Sequence, residues 1–103
     1  MNRSNSKIVR EKIKEHIFEY YEFDDLIGDV EAIKHPYDNT YNAAKRLVEG
    51  GCFLIYHTDV REFLESLNLN NKSNKTFSDD DCWKMYTHLL SREIEKIVSK
   101  RRS

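Results

Sequence analysis

The chain reads as all-α, a compact bundle of about four helices around a buried central segment, residues 52–57, and three observations predict this. One proline and three glycines in 103 residues are too little turn punctuation for a protein made of many short strands. Apolar residues recur at steps of three and four in several segments, which is the helical period. Residues that start and stop helices bracket those segments.

In the first helix, from about Ser6 to Tyr21, Val9, Ile13, Ile17 and Tyr20 or Tyr21 share one face, and Ser4, Asn5 or Ser6 can cap its start. Beyond Asp24 and Asp25, the residues Leu26, Ile27, Val30 and Ile33 are spaced too loosely to decide between a short helix and an irregular loop. Gly28 weighs against the helix, and His35 before Pro36 marks a break.

Asp38, Asn39 and Thr40 offer capping oxygens to a second helix carrying Tyr41, Ala44, Leu47 and Val48 on one face. Gly50 is placed to close it in a left-handed conformation. The run Cys52 to His57 is the densest apolar stretch and is expected to be buried. Strand, helix and extended chain all remain open for it, although a lone strand would have no pairing partner. Asp59 with Glu62 forms a capping-box-like pair, so a third helix is expected near Val60, with Phe63, Leu64 and Leu67 on its apolar face.

Residues 68–76 are rich in Asn, Lys and Ser and are expected to form a mobile loop. Ser78, followed by Asp79, Asp80 and Asp81, opens the last helix with a capping hydroxyl and three carboxylates at the positive end of the dipole. Trp83, Tyr86, Leu90, Ile94 and Ile97 make its stripe, widened by Leu89 and Val98. The whole chain is expected to be one helical domain, 1–103, with frayed termini, because a chain of this size buries roughly two-thirds of its unfolded surface in one core.

Charge and cysteine content bound the function. Net charge is -1, but the signs are segregated: basic residues dominate both ends, while Glu19, Glu22, Asp24, Asp25, Asp29 and Glu31 follow one another with no Lys or Arg before Lys34. Cys52 and Cys82 are expected to be free, buried thiols. The polar amino terminus resembles no signal peptide, and no segment reaches the roughly twenty apolar residues of a membrane span. A cytoplasmic location without membrane attachment is therefore expected.

No motif for catalysis or metal binding occurs, and no cofactor is expected. His16, His35, His57 and His88 lack ligand spacing. A thiol site would need Cys52 or His57 in an open cleft, and the favoured role for His57 is at a helix cap. Asp79, Asp80 and Asp81 point in different directions on a helical turn and read as dipole partners rather than cation ligands. Aromatic residues make up 12% of the chain, with six tyrosines, more than a small helical core requires. Glu19, Tyr20, Glu22, Asp24, Asp25, Asp29, Glu31, Tyr37 and Tyr41 are accordingly expected to form an acidic, aromatic partner-binding surface. The alternative is nucleic-acid binding through Lys84, Arg92, Lys96, Arg101 and Arg102, since Lys84, His88, Arg92 and Lys96 repeat at steps of four.

The segment Gly51, Cys52, Phe53, Leu54, Ile55, Tyr56, His57, Thr58, Asp59 through Phe63, with short charged helices around it, resembles small proteins encoded by phages and prophages of low-GC bacteria. The resemblance implies a non-enzymatic protein that binds a host protein or nucleoprotein complex and blocks it, as inhibitors of restriction and CRISPR nucleases do. It assigns no functional residue.

Overall fold

The computed structural model describes residues 3–34, 38–67 and 78–102, and among them every regular element is helical. The elements are α1 (Arg3–Tyr20), α2 (Phe23–Ile33), α3 (Thr40–Leu47) continuing into a π-helical turn (Val48–Cys52), α4 (His57–Ser66) and α5 (Asp79–Arg102). The expected loop at 68–76, together with Tyr37 and the chain ends, lies outside the described residues.

The longest helix, α5, is the axis of the bundle. It packs against α3, α4 and α1, while α2 docks on α3. Of the stripe the spacing predicts, Tyr86, Leu90, Ile94, Ile97 and Val98 are buried, joined by Cys82, while Trp83 and Leu89 are half-buried at its edge. Ile13 and Ile17 of α1, Leu26 and Val30 of α2, Ala43, Ala44 and Leu47 of α3, and Val60, Leu64 and Leu67 around α4 complete one continuous core. Ala43 and Ala44 carry no exposed surface. Such small side chains let the α3 backbone lie close to α5, consistent with its extensive contact there.

The caps confirm two of the expected starts. Asn39 Oδ1 accepts the Asn42 N–H at 2.7 Å, and Ser78 Oγ accepts the Asp81 N–H at 3.1 Å. Five helices form rather than four, because the undecided segment is α2: buried Leu26 and Val30 lie four residues apart on one face, and Gly28 sits on the open side.

The 52–57 segment departs from expectation. Only Phe53 is buried; Cys52 and His57 are exposed, Leu54 is half-buried, and Ile55 and Tyr56 are 58% and 67% exposed. The cause is backbone direction. Gly51 takes φ +88° and Phe53 is extended, so the chain leaves the helix here with Phe53 in the core and half-buried Leu54 against it, while Ile55 and Tyr56 face outward. The left-handed residue is thus Gly51, one beyond the expected Gly50, because the π turn adds a residue before the break. α4 likewise begins at His57 rather than Val60. Its first residue follows Tyr56, which provides no capping side chain, and Asp59 acts by charge in the first turn rather than as the cap.

These two glycines make a paired prediction. Gly51→Ala meets no clash, its Cβ lying 3.5 Å from Ile55 Cγ2, but places an L side chain in the left-handed region and is expected to cost about 1 kcal/mol. Gly50→Ala, with open space around its Cβ and a helical backbone, is expected to be neutral or to stabilise by up to about 1 kcal/mol. Urea midpoints of the two variants check both signs.

Candidate functional site

The features that reach the surface are organised by the interface between α1 and the rest of the bundle. His16 of α1 is buried and stacks on Phe63 of α4 with ring centroids 4.0 Å apart and planes at 28°. Its Nε2 lies 2.7 Å from the Tyr86 hydroxyl, and that hydroxyl accepts the Leu54 N–H at 3.2 Å. The hydroxyl keeps its own proton and a second lone pair, so it can pair with His16 Nε2 in either tautomer of the ring. Burial lowers the His16 pKa below 6.5, and Glu19, with its carboxylate 4.0 Å from Nδ1, opposes this only in part. The Tyr86 hydroxyl is pushed up by burial.

The sign of the resulting pH dependence follows from linkage. Below pH 6.5 the unfolded chain protonates this histidine while the folded chain resists, so folding stability falls as pH drops from 6.5 through the lower folded value. His16→Gln is expected to flatten the slope in this window, read as urea midpoints at a series of pH values. Asp38 and Asp79 also have lowered pKa values, by Arg46 and Arg61 respectively, but they act below the ordinary carboxylate range.

His16 also supports Tyr20, whose ring meets it edge-on at 5.1 Å and packs on Phe53 at 5.7 Å. Tyr21 and Glu22 alone connect α1 to α2. Tyr21 fixes that corner by donating to Asp29 Oδ2 at 2.8 Å and approaching Cys52 Sγ at 3.4 Å. Burial and these neighbours raise its pKa. Three aromatic side chains stand out at the corner: Phe18, Tyr20 and Phe23 are 39%, 44% and 43% exposed. Around them Glu19, Glu22, Asp24 and Asp25 are exposed, and the last three form no ion pair among the described residues.

On the other side of Phe18 and Phe23 opens a groove of about 710 Å³ between α1 and the carboxyl-terminal half of α5. Arg10 and Lys14 border it from α1, Lys96 and Lys100 from α5, and Phe18, Phe23 and Ile97 supply apolar lining. Glu93 also lines it, although buried. Arg10 Nε contacts Glu93 Oε1 at 3.4 Å, and Oε2 has no hydrogen-bond partner. The groove lining therefore combines cations, aromatic rings and one buried carboxylate.

The expected sites are distributed unequally. Glu19, Tyr20, Glu22, Asp24, Asp25 and Asp29 share the corner, and Glu31 is exposed farther along α2. Tyr41 is elsewhere: its hydroxyl bonds His88 Nδ1 at 2.8 Å in a second cleft, of about 480 Å³, lined also by Trp83 and Lys84. Lys84 pairs with Asp80 at 3.1 Å, Arg92 is exposed, and Lys96 borders the groove. Arg101 and Arg102 end α5 with side chains outside what the structure describes.

Arg10, Lys14, Phe18, Glu93 and Lys100 were not singled out by sequence. Two of them carried a signal: Phe18 lies off the α1 stripe, and Glu93 interrupts the α5 stripe three residues after Leu90 and four before Ile97. Cys52 and Cys82 are both free, but Cys52 is exposed, contrary to expectation. Exposed Cys52 contacts Tyr21, exposed His57 lies 3.6 Å from Asp79 Oδ2, and neither lines the two clefts. Among the described residues no cluster of three or more metal-ligating side chains occurs, and no helix is long and apolar enough to cross a membrane. No protein-family model, curated protein or solved structure matches the chain.

Proposed function

We propose that this chain is a non-enzymatic binding protein that modulates a host protein or nucleoprotein complex, docking through the α1–α2 corner. The observation that carries this reading is the exposure of Phe18, Tyr20 and Phe23 together, beside Glu22, Asp24 and Asp25, which form no ion pair among the described residues. Exposed aromatic rings on a supported backbone are the usual anchors of an interface, and the carboxylates around them suit a partner with a basic surface. Inhibition of a restriction or CRISPR nuclease, with origin in a mobile element, is the finer form of the reading and rests on the resemblance of the 51–63 segment.

The test is partner capture with a matched control. The chain should retain a stoichiometric partner from host lysate, and Tyr20→Ala combined with Asp24→Lys and Asp25→Lys should abolish retention while helical content stays unchanged. Retention by the triple variant at the same level would show that the corner is not the docking surface.

A further inference from the structure

We propose that the groove between α1 and α5 binds single-stranded nucleic acid, with one or two bases against Phe18 and Phe23 and the phosphates on Lys14, Lys96 and Lys100. The proposal shares Phe18 and Phe23 with the protein-docking reading but not its charged residues, since these lysines and the corner carboxylates are different side chains.

Three observations converge on this class of ligand. First, the groove lining brings together cations, exposed phenylalanine rings and a buried glutamate whose Oε2 has no hydrogen-bond partner among the described residues. A nucleotide carries the matching set of groups, a charged phosphate, a flat π face and, in cytosine, adenine and guanine, amino N–H donors. An acidic peptide supplies the negative charge but brings carboxylates toward Glu93, which repels them. A duplex keeps its base faces stacked inside and offers the rings nothing to stack on.

Second, the two rings are placed as platforms. Phe18 and Phe23 have centroids 6.3 Å apart with planes tilted by 40°, and each keeps about two-fifths of its surface open. Their exposure costs the isolated chain solvation free energy that a stacked base would recover.

Third, the cations continue as a track. Arg92, Lys96 and Lys100 are exposed on α5 at intervals of four residues, about 6 Å along the helix. Lys96 and Lys100 form no ion pair among the described residues. Lys14 faces Glu11 at 3.9 Å, but the α5 cations, without ion pairs among the described residues and aligned beside an aromatic groove, track a phosphate backbone rather than a single anion.

The experiment is fluorescence anisotropy of the full chain with labelled single-stranded oligodeoxycytidine and oligothymidine of roughly twelve nucleotides, within the range of single-strand site sizes. A duplex of the same length and a polyglutamate peptide serve as competitors. Saturable binding is expected at about 50 mM salt, weakening with a log–log slope near -2 for three neutralised phosphates. Phe18→Ala and Phe23→Ala should each weaken it by roughly 5- to 100-fold. Lys96→Glu with Lys100→Glu should lower affinity at least about tenfold and reduce the salt slope. Glu93→Gln should narrow a preference for cytidine over thymidine.

Because Phe18, Phe23 and both lysines are surface side chains, circular dichroism is expected to stay unchanged in these variants, and it is measured alongside. Absence of saturable binding would overturn the proposal. So would phenylalanine variants with full affinity, or equal binding of the duplex, either of which reduces the groove to bulk electrostatics. Polyglutamate displacing the strand at equal charge concentration would also overturn it and would give the groove to an acidic protein segment. Loss of lysate partners in the corner variant with strand binding intact keeps this outcome separate from that of the proposed function.

Discussion

Tyr86→Ala is expected to lower the free energy of unfolding by about 4 kcal/mol, near the upper end for removal of a buried aromatic ring. For a domain of this size that corresponds to a fall in Tm of at least about 15 °C. The ring has no exposed surface and is packed by Phe63, Trp83 and His16 at centroid distances of 5.7, 5.9 and 5.6 Å. Removing it opens a cavity where α1, α4 and α5 meet, and it takes away the oxygen that serves both Leu54 N–H and His16 Nε2. Tyr86→Phe isolates the second part. It retains the ring and is expected to cost about 2 kcal/mol, because Leu54 N–H and His16 Nε2 lose their shared partner below the surface. If thermal unfolding finds Tyr86→Phe as harmful as Tyr86→Ala, the hydroxyl rather than ring packing secures this junction.

Leu26→Ala is expected to cost about 3 kcal/mol and to loosen α2 ahead of the rest of the bundle. The helix is attached to the core by two fully buried side chains, Leu26 and Val30, with half-buried Ile27 and Ile33 beside them. Its far end is tied by Arg46, which bonds the Ile33 carbonyl at 3.3 Å and pairs with Asp38. Hydrogen exchange should show amide protection lost over α2 while the α5 amides stay protected to a similar degree. A uniform loss across all helices would mean that α2 unfolds only with the whole domain. Since Asp24, Asp25 and Phe23 all ride on α2, the variant should also weaken any partner held at the corner.

What could be read in the sequence follows the range of the interactions involved. Ser78 and Asn39 bond amides three residues away, so their helix starts are written in local order, and the α5 stripe needs only a period and a long run. The α2 helix escapes such reading because Leu26 and Val30 have meaning only once α3 is present to receive them. The Gly50 to Asp59 run misleads for a different reason. Apolar density signals burial only where the backbone can present every side chain to the core, and a chain that leaves its helix at a left-handed glycine keeps Phe53 inside and turns Ile55 and Tyr56 outward. The groove was the least legible feature, since it joins Arg10 to Glu93, 83 positions apart. Sequence marks such a site only by exceptions, here a phenylalanine off its stripe and a glutamate on one.

Phe23 stands at the boundary between a carboxylate-rich surface and a lysine-bordered groove, in a chain whose net charge is -1. A distant charged surface therefore exerts almost no net pull on the molecule, but it exerts a torque. If both proposed surfaces are used, a chain approaching a complex of protein and nucleic acid would rotate before it touches, with its lysines toward phosphate and its carboxylates toward basic protein. Its association rate should accordingly depend on ionic strength through orientation, falling once the screening length of about 10 Å becomes shorter than the separation of the two surfaces.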